Sequence, residues 1–312
     1  MTLSQLYYIV AVDNFRHFST AAEHSFVTQP TLSMQIQKLE EELGVLIFDR
    51  SKQPVIPTEI GEKILRQART ILRESERLQN IVENETGEYT GSLKIGIIPT
   101  IAPYLLPLFI QSFTEKYPKL EIIIDEITTG EIVKGIHNDL IDLGILALPL
   151  NNQDISEKSL YFEPFMAYIG SKHALFNKIK VDVDDLSTDD LLLLKEGHCL
   201  RGQTLKLCSS TEKEWKQNSR RILFEGGNLD TLIKLVEQNF GITLLPYLAV
   251  KNFENQKSKS MVREFNDPVP KREIGLVYSK AYLKRHLIDA LASEIINSVP
   301  KNLLSKENSL IV

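Results

Sequence analysis

Several things are scarce in this chain, and each scarcity excludes a class of protein. Of 312 residues only two are cysteine, too few for a disulfide-stapled secreted scaffold. No apolar run approaches the roughly twenty residues that cross a bilayer. The N-terminus, Met1-Thr2-Leu3-Ser4-Gln5-Leu6, lacks the basic stretch and apolar core of a secretory signal. A cytoplasmic protein making no use of a membrane is expected. There is no Cys-x-x-Cys, no His-Glu-x-x-His and no phosphate loop, so no metal or cofactor is expected. Basic excess is missing too. The net charge is −5, and residues 1–57 hold four Lys and Arg against six Asp and Glu. A general cationic surface for nucleic acid is therefore excluded. Any DNA contact must come from a few placed groups and from avidity.

The two cysteines, Cys199 and Cys208, lie nine positions apart in Gly197-His-Cys-Leu-Arg-Gly-Gln-Thr-Leu-Lys-Leu-Cys208. On a continuous helix that spacing separates the Cα atoms by about 13 Å, whereas a disulfide needs roughly 4.4–6.8 Å. If the thiols pair, the segment between them must refold. Free cysteines are more often small buried hydrophobes. Here His198, Arg201, Lys195 and Lys206 stand nearby, and cations favour the reactive thiolate. An accessible thiol beside a second cysteine suits a redox sensor.

Apolar spacing predicts a helix over residues 4–12, a second capped by Ser19, and a third capped by Thr28 with Pro30 in its first turn, ending at Gly44. Two short helices joined by a tight turn describe a helix-turn-helix. Residues 48–57, with two prolines, read as a two-stranded wing. A long helix follows over 58–86, carrying Ile60, Ile64, Ile71, Leu78 and Val82 in a near-heptad stripe, the pattern of a dimerising seam. Residues 87–91 read as a hinge. Beyond residue 92, strands and helices alternate, which predicts a mainly parallel sheet covered by helices.

The segments Phe18–Ala22, Val27–Ser33, Gln35-Ile36, Leu39-Glu40, Leu43-Gly44, Leu46–Phe48 and Arg50 strongly resemble the winged helix-turn-helix of LysR-type transcriptional regulators. The resemblance runs from end to end. It implies an α/β chain with a DNA-binding domain at 1–57, a dimerisation helix at 58–86 and a regulatory domain of two Rossmann-like lobes, similar to periplasmic binding proteins. Lobe I would span 92–162 and 268–300, lobe II 163–267, with a tail at 301–312. Within the family, Ile97–Pro107, Gly197–Arg201 with Gln203, Cys208, and Gly241–Pro246 resemble the OxyR peroxide sensors. That likeness implies that hydrogen peroxide oxidises Cys199, that Cys208 resolves the product as a disulfide, and that Thr100, Thr129 and His198 surround the peroxide. It further implies binding to double-stranded DNA as a homodimer or tetramer, contact with RNA polymerase, and resetting by a thiol reductant. Gly202 and Lys195 stand where the family commonly has acidic residues.

The residues support these roles on their own terms. Thr100 and Thr129 follow successive strands, where ligands of open α/β sheets bind, and a hydroxyl can both donate and accept. Each also suits a plain helix cap. His198 or Arg201 can stabilise a thiolate; a surface histidine and a structural ion pair are the plainer readings. In the third helix, Thr28, Gln29, Pro30, Thr31, Ser33 and Gln35 lie near the end expected to enter the major groove, and Lys38 and Arg50 suit phosphates. Two other functions fit less well. A same-fold regulator binding an organic effector between its lobes would leave the thiols idle. A thiol peroxidase would have no use for the helix-turn-helix.

Overall fold

Side-chain caps open the N-terminal helices. The Thr2 hydroxyl accepts the Gln5 N–H while the Gln5 side chain accepts the Thr2 N–H, starting α1 (Leu3–Phe15). Arg16 then turns the chain with a left-handed φ of 55°. That turn makes His17, not Ser19, the cap of α2 (Phe18–His24); Ser19 lies inside the first helical turn. Thr28 caps α3 (Gln29–Leu43), which stops at Gly44 with φ 70°, a left-handed position suited to glycine. A wing follows, β1 (Phe48–Asp49) antiparallel to β2 (Ile56–Pro57). Thr58 caps α4 (Glu59–Thr86) by accepting the Gly61 N–H at 2.9 Å. Gly61 admits no side chain, since a Cβ there would lie 2.0 Å from the Ile47 carbonyl oxygen.

The computed structural model describes residues 1–86, 89–150, 152–208, 225–251, 253–280 and 285–312. These form two compact units, Met1–Tyr89 and Thr90–Val312. The first unit closes on Leu6, Ile9, Leu32, Ile36, Leu39 and Phe48 with Leu65 and Ala68 of α4. Arg69 ties α4 to α1 by donating to Asp13 at 2.9 Å and Asn14 at 2.7 Å. The side chains of Leu78 and Val82 in the expected seam and residues 87–88 of the expected hinge lie outside the described residues.

The second unit begins with β3 (Gly91–Ile97), α5 (Ala102–Lys116), β4 (Leu120–Glu126), α6 (Thr129–His137) and β5 (Leu143–Leu148). Strands β4, β3 and β5 are parallel neighbours. The fifteen-residue β6 (Ile155–Ile169) leads into β7 (Lys180–Val181), β8 (Leu193–Leu194), α7 (Cys199–Leu207), β9 (Glu225–Gly226), α8 (Leu229–Glu237), β10 (Ile242–Pro246), α9 (Tyr247–Lys251), α10 (Gln256–Ser260) and β11 (Val262–Phe265). The chain closes with β12 (Val269–Ser279), α11 (Arg285–Ser298) and β13 (Ser309–Ile311).

The sheet is mixed rather than mainly parallel. Strand β12 runs antiparallel to β5 and to the first part of β6, and the remainder of β6 pairs antiparallel with β10 and β11. Alternation of buried and exposed positions reports which face a strand buries and carries no information on its direction. Strand β12 returns from the far part of the sheet, so it enters against β5. Strands β6 and β12 thus run side by side over Ile155–Pro164 of β6. The tail also joins this sheet: β13 pairs parallel with β12, and Leu303 is fully buried.

Candidate functional site

Cys199 is the first residue of α7 and Cys208 is its C-terminal cap. Both are free thiols. Because the helix is continuous, their Cα atoms lie about 13 Å apart, beyond the reach of a disulfide. The helix that presents Cys199 is therefore also what keeps the two sulfurs separate.

Three chain segments meet at Cys199. The β3–α5 loop supplies Ile98, Pro99 and Thr100; the start of α6 supplies Thr128 and Thr129; and Gly197, His198 and Cys199 complete one small recess. Gly197 turns the chain into α7 with φ 96°. The polar groups in the recess are committed to different degrees. Thr128 Oγ1 donates to Glu131 at 2.7 Å in a capping box, so it serves the helix. Thr100, 2% exposed, accepts from Arg272 Nη1 at 3.0 Å. A guanidinium only donates, so the Thr100 proton is left to point elsewhere. Thr129 Oγ1 and His198 Nε2 are buried with no hydrogen-bond partner among the described residues. Burying such groups unpaired costs roughly 1–3 kcal/mol each, a cost that a small polar guest would remove. Thr100, Thr129, His198 and Cys199, all picked out in the sequence, are thus brought together.

The charges differ from those expected. Burial, followed by the nearby Lys195, lowers the His198 pKa below its ordinary 6.5, so the ring is neutral at pH 7. Arg201 is buried and donates Nη1 to the Leu194 carbonyl at 2.7 Å. Its side chain anchors α7 to β8 and is not among the residues lining the recess. The cation at the site is Arg272 on β12, which sequence reasoning missed. It is 1% exposed, pairs with Glu163 of β6 at 2.7 Å, and also donates to the Thr100 carbonyl at 3.1 Å. Burial pulls its pKa down, but the Glu163 carboxylate, with Cys199 and Tyr161 when ionised, outweighs this and holds it above the ordinary value. An anion at Cys199 therefore has a buried guanidinium within electrostatic reach. Glu163 also accepts the Leu248 N–H at 2.9 Å. The available signal was Glu163 itself, a carboxylate within the apolar stretch Leu160–Ile169, which demands a buried cationic partner.

Cys208 has the opposite surroundings. It packs against the apolar cluster that includes Leu200, Leu205, Leu232 and Phe265, and burial pushes its thiol from an ordinary 9.0 up to about 11. One end of α7 thus holds a sulfur among polar groups, the other a sulfur kept protonated.

In the first unit, Thr28, Gln29, Pro30 and Lys38 are exposed along α3, while Thr31, Ser33 and Gln35 are half-buried. Thr28 and Thr31 share a 2.8 Å hydrogen bond, and Gln35 accepts from Gln5 at 3.3 Å. Arg50 is already engaged, pairing with buried Glu40 at 2.9 Å and stacking over Phe18 at 5.1 Å. Glu40 also accepts the Ile47 and Phe48 N–H groups, so Arg50 braces the wing. Gln29 and Lys38 are the sequence-selected polar side chains most open to a ligand.

Residues 3–62 match the family profile of the bacterial regulatory helix-turn-helix protein, lysR family, and residues 86–298 match that of the LysR substrate binding domain. The DNA-binding transcriptional dual regulator OxyR of Escherichia coli is 37% identical over 295 residues, covering 95% of each chain. A hydrogen peroxide-inducible genes activator of Haemophilus influenzae is 34% identical over 96% of this chain and 97% of its own. Among solved structures, full-length OxyR from Pseudomonas aeruginosa superposes with a TM-score of 0.79 at 34% identity, covering 96% of this chain and 99% of that one. With a regulator's helix-turn-helix at one end and a free thiol set in a polar recess at the other, the chain belongs to the LysR family of transcriptional regulators and is OxyR-like within it.

Proposed function

We propose that this protein is a DNA-binding regulator that senses hydrogen peroxide through Cys199. The observation that carries the reading is the recess itself: a thiol at a helix N-terminus beside Thr100, Thr129 and His198, with two buried polar atoms lacking partners among the described residues. The relatives' names, given for peroxide-inducible activation, point the same way.

In the proposed chemistry, the Cys199 thiolate attacks one peroxide oxygen. The O–O bond breaks, and the departing oxygen takes a proton and leaves as water. Thr100 donates to a peroxide oxygen with the proton that Arg272 leaves free, and Thr129 and the neutral His198 ring supply further hydrogen bonds. Arg272 holds the negative charge until the S–O bond forms. Cys208 sulfur then attacks the resulting sulfenic acid, expelling a second water and forming the disulfide. Both electrons come from the two thiols. Because α7 must come apart for this step, the chemical signal becomes a conformational one.

The remaining assignments complete the reading. Residues 1–57 bind double-stranded DNA through α3, with Gln29 facing bases and Lys38 facing phosphate. The helix over 58–86 joins two copies as a dimer or half of a tetramer. Residues 92–162 with 268–300, and 163–267, form the two lobes. Oxidation changes the contact with DNA and RNA polymerase, and a thiol reductant resets the switch. The test is to treat the reduced protein with near-stoichiometric peroxide and map its thiols by peptide mass spectrometry. An intrachain Cys199–Cys208 link is expected, with a trapped Cys199 sulfenic acid in Cys208→Ser. Thiols that stay reduced would refute the reading and leave a regulator answering to an organic effector.

A further inference from the structure

Helix α7 is poorly supported by its own sequence. It has nine residues, Gly202 in its interior and no side-chain hydrogen bond at its N-cap, His198. Helices this short are marginal in water, and an interior glycine weakens a helix relative to alanine. Tertiary contacts must therefore hold it. Leu200, Leu205 and Leu207 are buried, and Arg201 is tethered to Leu194. One further tether comes from a distant part of the chain: Gln203 Nε2 donates to the Val312 carbonyl at 3.1 Å. That is the one hydrogen bond found for the Gln203 side chain among the described residues, its Oε1 being buried without a partner.

Val312 is itself held in place. Its N–H donates to the Lys271 carbonyl at 3.0 Å, and its side chain packs against the second-lobe core. The preceding β13 lies in register with β12, Lys271 opposite Ile311. The buried Lys271 ammonium binds the Ser305 and Glu307 carbonyls at 2.9 and 3.4 Å. The next residue on β12 is Arg272, which reaches the recess. One strand thus anchors both the cation beside Cys199 and the tail segment that grips the middle of α7.

We propose that residues 309–312 form a latch that stabilises the reduced conformation of the switch by holding α7 through Gln203, and so sets how readily Cys199 and Cys208 are oxidised. The latch rests on the thiol-switch reading above. Gln203 lies between the two cysteines, so the unwinding that brings the sulfurs together carries it off Val312. Linkage then requires reciprocity: whatever favours tail docking favours the dithiol, and a bound tail and a disulfide oppose each other.

The test uses the full chain, a chain lacking Ile311 and Val312, Gln203→Ala, and the combination of both changes. Each is equilibrated in dithiothreitol buffers of graded oxidised-to-reduced ratio, exchanging two electrons per disulfide. One hydrogen bond of ordinary strength predicts that the truncation raises the disulfide-forming equilibrium constant roughly five-fold, a shift of about 20 mV toward more negative potential. In the Gln203→Ala background the same truncation should change it less than two-fold, because the Gln203–Val312 hydrogen bond, the contact with α7 that both changes remove, is already lost. As a second measurement on the unmodified chain, hydrogen exchange at the Val312 amide should quicken at least five-fold on oxidation. A truncation that leaves the equilibrium unchanged, one that shifts it equally in both backgrounds, or a Val312 amide indifferent to oxidation would overturn the latch while the thiol switch stands. Failure of the unmodified chain to form the Cys199–Cys208 bond would overturn both.

Discussion

The step that joins Cys208 to oxidised Cys199 can be made to reveal whether α7 must unwind. In the folded helix the Cys208 thiol is raised by burial from 9.0 to about 11. If Cys208 attacked from that position, the rate of disulfide formation would rise with pH and level off only near 11. The helix opposes this route, because its length holds the Cα atoms about 13 Å apart. Unwinding frees Cys208 from its apolar pocket and returns it toward 9.0. The rate should then level off near pH 9. The two routes differ by two pKa units, so the thiolate fraction at neutral pH differs about a hundred-fold between them. The assay is stopped-flow oxidation with excess peroxide, the sulfenic acid being trapped competitively with dimedone, from neutral to strongly alkaline pH. An inflection near 11 would show attack from the intact helix and refute the argument that the switch works by unfolding. The same raised value carries a stability signature. Between 9.0 and about 11 the folded protein holds a proton that the unfolded chain has lost, so stability is full below that window and falls as pH rises through it.

Further outcomes test individual groups. Arg272→Met strands Glu163 in the interior and should cost about 3–5 kcal/mol in chemical denaturation; adding Glu163→Gln should recover much of that stability while sulfenic acid formation stays at least ten-fold slow, and recovery of the rate would show that Arg272 acts only through the fold. Thr129→Val removes a hydroxyl that has no partner among the described residues, so stability in denaturation should change by less than about 1 kcal/mol while the peroxide reaction slows by about ten-fold, the loss of one hydrogen bond of roughly 1.4 kcal/mol. Glu40→Ala leaves the Ile47 and Phe48 amides and Arg50 without their acceptor; it should destabilise the N-terminal unit by about 2–3 kcal/mol and weaken DNA binding in a fluorescence anisotropy titration, and unchanged stability would show that water replaces the carboxylate.

Much of the N-terminal unit was legible because its determinants are local. Thr28, Pro30 and Gly44 each act on backbone within a turn of their own position. The wing followed from two prolines, and α4 from its stripe. The cap of α2 was misplaced for a local reason as well: the left-handed turn at Arg16, which moves the helix start, is unusual for a residue with a side chain. At the recess, Thr100, Thr129 and His198 could be proposed because they follow strands or adjoin Cys199 and because the segments carrying them resemble a known sensor.

What the sequence determined by itself comes down to spacing and side-chain chemistry: two thiols nine positions apart that no helix can bridge, capping residues that open helices, and an apolar alternation that builds a layered sheet. Encounters between residues far apart in the chain belong to the fold alone. Glu163 and Arg272 are 109 positions apart and meet only because β6 and β12 run side by side. Arg201, two positions after Cys199 in the motif, faces Leu194 instead because the buried strand β8 offers a carbonyl that needs a donor. Burial, with Lys195 as the second cause, lowers the His198 pKa, and burial makes Cys208 reluctant to ionise; burial is a property of the packed molecule, as is the meeting of Gln203 with Val312. Local free energies of a few residues choose caps, turns and periodicity, whereas desolvation and charge pairing depend on every element that closes over a site, so the chemistry of Cys199 is specified only once the fold is complete.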